Sequence, residues 1–81
     1  MDISVEISLY PLNADYVPPI KSFIDALERE PGLRIARNTM STQVFGDSDI
    51  VFDALKRLVT ETWGEYGKGA FVMKVLAGDL S

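Results

Sequence analysis

The segment Ile3–Leu9 alternates without a break, with Ile3, Val5, Ile7 and Leu9 on one side and Ser4, Glu6 and Ser8 on the other. A period of two marks a strand with one apolar and one polar face. After the connection YPLNADYVPP, residues Tyr16, Ile20, Phe23, Ile24 and Leu27 fall on one face of an amphipathic helix. Asn13 or Asp15 can cap that helix, and Pro18 and Pro19 suit its first turn, where amide protons have no intrahelical acceptor. Pro31 disfavours a helical Glu30, and Gly32 accepts the reversed backbone that follows many helices.

LRIARN, residues 33–38, predicts a short second strand with Leu33 and Ile35 toward the core. TMSTQVFG, residues 39–46, predicts a third strand closing a hairpin with it. Met40 and Val44 are assigned inward, and Ser41, Gln43 and Phe45 outward. A bulge would reverse that parity and exchange Gln43 for Thr42. Ser48 is the expected cap of a second helix, with Asp49 favoured in its first turn by the helix dipole. Val51, Leu55, Leu58, Val59 and Thr62 repeat the stripe of the first helix, GEYGKG ends it, and AFVMKVLA is the last strand.

Strand, helix, strand, strand, helix, strand with right-handed crossovers predicts a ferredoxin-like βαββαβ sandwich. In this α+β fold a four-stranded antiparallel sheet carries two helices on one face. The 81 residues leave room for a single domain, 1–81. A chain this short has a thin stability margin, so self-association is expected.

Composition narrows the chemistry. With no histidine and no cysteine, Ser–His and Cys–His catalysis, disulfides and zinc–thiolate sites are all excluded. A net charge of −4 argues against nucleic acid as a partner, since backbone affinity comes from clustered Lys and Arg. MDISVEIS lacks a basic region followed by an apolar run, and no apolar segment approaches the roughly 18 residues of a membrane span. A cytoplasmic protein without membrane contact is the expectation. Neither a glycine-rich phosphate cradle with an arginine nor a cysteine pair follows the first strand. Asp47 with Asp49, and Glu28 with Glu30, read as solvated helix ends, so no catalytic residue and no metal site are assigned.

Both helices cover one face, so the other meets solvent, a ligand or another subunit. Ser4, Glu6 and Ser8 should lie mid-sheet there, beside Val72, Lys74 and Leu76 of the last strand and Ser41, Gln43 and Phe45 of the third. A Glu6–Lys74 cross-strand ion pair is the plain account of Glu6. The last strand is apolar on both sides, which predicts cover on both, with a second subunit the simplest cover. Phe52 and Trp63 share one flank of the second helix's stripe and are expected to wrap its edge over the sheet; the alternative is a protein–protein contact.

At MSTQVFG (40–46), together with VEISLYPL (5–12), YVPPIKSFIDAL (16–27), GLRIARN (32–38) and DIVFDAL (49–55), the chain resembles the YkoF-like thiamine-binding family. The resemblance runs in order over most of the chain. It implies a small ferredoxin-like protein that binds thiamine or its hydroxymethylpyrimidine moiety as a ligand, needs no cofactor, and assembles as a homodimer or homotetramer. An aminopyrimidine presents a ring nitrogen and an exocyclic amine side by side, and one carboxylate can engage both. Glu6 is the expected carboxylate, Ser8 and Gln43 can satisfy the remaining polar groups, and Asn38, Ser41 and Thr42 can line one end. Tyr10 or Phe45 can stack on the ring. The competing expectation is a structural or regulatory oligomerisation module with no small-molecule ligand.

Overall fold

In the computed structural model, which describes residues 1–12 and 14–81, the elements follow in the order β1 (Asp2–Pro11), α1 (Val17–Arg29), β2 (Arg34–Arg37), β3 (Thr42–Asp47), α2 (Ser48–Tyr66) and β4 (Gly69–Ala77). The strands form one antiparallel sheet ordered β2–β3–β1–β4. With its two helices this is the ferredoxin-like α+β sandwich. Among the described residues no helix is long and apolar enough to cross a membrane.

The alternation of β1 decides which face is buried. Ile3, Val5 and Ile7 form the core with Val44 of β3, Phe23 and Leu27 of α1, and Val51, Leu55 and Leu58 of α2. Leu33, Ile35, Leu9 and Phe71 pack at its edges. Burying side chains of this size supplies roughly 1.5–3 kcal/mol each, the main favourable term for so small a domain. The register sets Glu6 opposite Gln43 on one side and Lys74 on the other. Val44 is inward and Gln43 and Phe45 outward, the parity expected, and no bulge intervenes.

Several local expectations are corrected. Met40 is not inward: it lies before β3 begins and is 84% exposed. The side-chain oxygen of Asn38 accepts the amides of Met40 and Ser41, both at 2.8 Å, and this turn ends strand pairing before Met40. The N-cap of α1 is Tyr16, exposed and without a side-chain cap bond, so Asp15 does not cap; Asn13 lies outside the described residues. Proline fills the first turn instead, where its missing amide costs nothing. The cap of α2 is Asp47 rather than Ser48: its carboxylate accepts the Asp49 amide at 3.1 Å and the Met1 amine at 3.0 Å. The helix runs through Gly64 and stops only at Gly67, whose φ of +84° favours glycine.

Among the described residues, β4 is left largely uncovered on both faces. The helices meet it chiefly at Phe71, where Phe23 packs at 4.9 Å and Trp63 at 5.7 Å between ring centroids. Trp63 thus wraps the sheet edge, and its Nε1 donates to Gly69 O at 2.8 Å. Phe52 stays exposed, as do Val72, Met73, Val75 and Leu76 on both faces of β4.

Candidate functional site

Glu6 stands in the middle of the open face because strand parity turns it away from Val5 and Ile7. Its carboxylate is half-exposed and held at both oxygens. Lys74 Nζ approaches Oε1 at 3.4 Å, and Ser41 Oγ donates to Oε2 at 3.1 Å. Around it is a recess of about 170 Å³ lined by Ser4, Val5, Glu6, Gln43, Phe45, Lys74, Leu76 and Leu80. That volume is close to the roughly 150 Å³ known to accept a single benzene ring. One side carries Gln43 and the Glu6–Lys74 pair, the other Phe45, Leu76 and Leu80. An arrangement of this kind suits a flat ring with donors on one edge.

Ser4 and Phe45 are buried on this face although no helix touches it, at 6% and 5% exposure. The cover comes from the chain itself. Residues 78–81, after β4, return over the sheet: Ser4 Oγ donates to Gly78 O at 2.7 Å and accepts from the Leu80 amide at 2.9 Å. Asp79 pairs with Arg34 of β2. No neighbouring subunit is needed to bury this part of the face. The pair of hydroxyl bonds explains why a serine can be buried mid-sheet without an unsatisfied group.

The eight residues singled out from the sequence divide between two hollows. Glu6, Gln43 and Phe45 line the open-face recess. Ser8, Tyr10, Asn38, Ser41 and Thr42 line a slot of about 210 Å³ between β1, α1 and the β2–β3 turn, floored by Ile7, Leu9, Ile20, Phe23 and Ile24. This slot exists because β3 begins at Thr42, paired with Ile7, so β1 runs on without its β3 neighbour from Ser8. Thr42 is buried on the helix side. Asn38 spends its oxygen on the turn, and Ser8 Oγ donates to Met40 O at 3.3 Å. Ser41 lines the slot while its hydroxyl bonds Glu6 of the recess. Among the described residues the slot's lining contains no carboxylate, so of these two hollows the open-face recess alone carries one.

Leu80, Asp79 and Arg34 escaped the sequence reasoning. The available signal was a glycine directly after an apolar strand, followed by Asp79 and the isolated apolar Leu80, which is the composition of a turn with one more anchoring residue.

The sequence profile of the YKOF-related family matches residues 2–67. No curated protein sequence matches the chain. Solved structures match its whole length at low identity. A Streptococcus pneumoniae protein superposes with a TM-score of 0.88 at 20% identity, over 99% of this chain and 90% of its own. A candidate thiamine biosynthesis/salvage protein of Thermotoga maritima gives 0.86 at 18% identity, over 100% and 90%. A domain of unknown function from Bacillus cereus gives 0.79 at 18% identity, over 100% and 80%. At these identities the likeness establishes the fold.

Proposed function

The chain belongs to the YKOF-related family, and from that premise we propose that it binds thiamine or its hydroxymethylpyrimidine moiety without transforming it, as a cytoplasmic homo-oligomer. The observation that carries the reading is Glu6, a carboxylate in a ring-sized recess with an apolar opposite wall. The ring nitrogen and exocyclic amine of an aminopyrimidine would take its two oxygens as paired, charge-assisted hydrogen bonds. Both present partners can yield. Lys74 is exposed and can swing into water, and the Ser41 hydroxyl can rotate. Gln43 would meet a remaining polar group, and Phe45 would cover the ring's apolar surface. Ser8, Tyr10, Asn38, Ser41 and Thr42, which line the slot, would surround a substituent projecting along β1. The description of the Thermotoga maritima structure as a candidate thiamine biosynthesis/salvage protein supports this ligand class. The reading assigns no reaction, cofactor or metal, and no nucleic-acid or membrane partner.

Calorimetry with thiamine and hydroxymethylpyrimidine is the direct trial. Binding that weakens at least about tenfold in Glu6→Gln is expected, and no heat from the wild type at millimolar ligand would reject the reading.

A second reading is an oligomerisation module without a ligand. The exposed apolar residues on both faces of β4, an edge strand, favour it. Under this reading Glu6→Gln changes the assembly seen by size-exclusion chromatography, or changes nothing.

A further inference from the structure

Gly78 is where the chain leaves the sheet. Its amide still extends the ladder, donating to Asp2 O at 2.9 Å, and its φ of +98° turns the backbone in a way that side chains rarely permit. The residues that follow touch β1 through Ser4 and β2 through Arg34. They therefore cross from one edge of the sheet to the other, a span of about three strand spacings that roughly four extended residues cover.

We infer that Gly78–Ser81 is a releasable cover over the Glu6 recess, with the side chain of Leu80 as its apolar ceiling. The inference rests on the reading of that recess as an aminopyrimidine site. Two observations carry it. The first is the set of restraints: two hydrogen bonds to the buried Ser4 hydroxyl and one surface ion pair, Arg34–Asp79, are few and polar, the kind that opens locally without disturbing an apolar core. Ser81 clasps Asp79, its amide and hydroxyl both donating to Asp79 Oδ1, and its hydroxyl accepts a long 3.5 Å bond from Arg34. The second is Leu80, which lines the recess yet remains 66% exposed. A leucine held at the mouth of a hollow gains an apolar partner when a ring fills it. Occupation and closure then favour one another, and the ligand is released when the strap lifts at Gly78.

The test uses the full chain and hydroxymethylpyrimidine as probe. Asp79→Asn and Arg34→Gln each weaken the latch at an exposed site without touching the ring, so either can decide the matter if the other folds poorly. Leu80→Ala removes the ceiling. In the wild type, amide exchange at Leu80 should slow when the probe is added. In the latch variants and in Leu80→Ala, probe dissociation should be about tenfold faster, with association changed much less. If the probe binds, requires Glu6, and leaves these variants at the wild-type rate, the cover is rejected and the recess survives. If the wild type does not bind the probe at millimolar concentration, both readings fall together.

Discussion

Ser41 Oγ donates to Glu6 Oε2 across 3.1 Å, tying the end of the β2–β3 turn to the middle of β1. With Lys74 at the other oxygen, each half of the carboxylate has its own partner before any ligand arrives. On the proposed reading, a ligand with two adjacent donors competes with both partners, whereas a single cation competes with Lys74 alone.

Glu6→Gln keeps the size of the side chain and removes the charge. Losing a hydrogen bond to a charged group costs about 1.5–3 kcal/mol, so hydroxymethylpyrimidine should bind roughly ten- to a hundredfold more weakly. The fold should be untouched, because Glu6 faces away from the core. Calorimetry beside a thermal melt separates the two effects. A large drop in melting temperature would make Glu6 a structural residue.

Leu27 has no exposed surface and lies between β1 and α2. Leu27→Ala should cost about 2–5 kcal/mol, most of the stability of a domain this small. Urea denaturation should show a variant largely unfolded at 37 °C, and a loss below about 1 kcal/mol would contradict the packing described.

Two glycines should respond to alanine in opposite directions. A Cβ on Gly46 would lie 2.9 Å from the Gly32 carbonyl oxygen and 3.3 Å from Val51 Cγ2. A backbone oxygen cannot step aside, so Gly46→Ala should destabilise by about 1–3 kcal/mol. Gly64 is helical and has nothing within 4 Å of that position, so Gly64→Ala should stabilise by roughly 0.5–1 kcal/mol. Chemical denaturation of both variants checks the signs.

Acid should weaken the fold through four carboxyls held below their ordinary values. A hydrogen bond from Lys21 lowers Asp25, one from Arg57 lowers Glu30, and one from the Met1 amine lowers Asp47. Asp79 is lowered by the Ser81 hydroxyl, with Arg34 adding to it. A depressed folded value gives stability above the unfolded value, 3.8 for Asp and 4.5 for Glu, and that stability is lost as pH falls through the folded value. The Met1 amine is raised by Asp47, so its contribution is complete below 8.0 and fades as pH rises through the folded value. Because the chain has no histidine, melting temperature should be nearly flat from about pH 5 to pH 7.5 and fall below about pH 4.5. A transition near neutrality would contradict this account.

The fold was legible wherever one residue's environment follows from its neighbours in sequence. The alternation of Ile3–Leu9 placed Glu6 on the open face, and Val44 fixed the parity of β3. Met40 was misplaced because the Asn38 side chain closes a turn there, a competition between side chain and ladder that the apolar pattern does not register. Ser48 lost the cap to Asp47, whose carboxylate is also occupied by the distant Met1 amine. For the site, Glu6, Gln43 and Phe45 share a recess as parity predicts. Its separation from the slot depends on where β3 starts against Ile7, and the burial of Ser4 depends on contacts 74 and 76 residues away. Distances of that kind leave no local trace.

Strand β1 shares the inside of the sheet with β3, and its outer neighbour β4 joins it through pairs such as Ile3 with Ala77. β1 must therefore wait for β4, which begins only at Gly69, before the sheet can close. Until then its apolar row lacks half of its sheet support, and the entropy of closing so large a loop slows the final step. Until β4 docks, the free edge of β1 is open to pairing with a second copy of the chain.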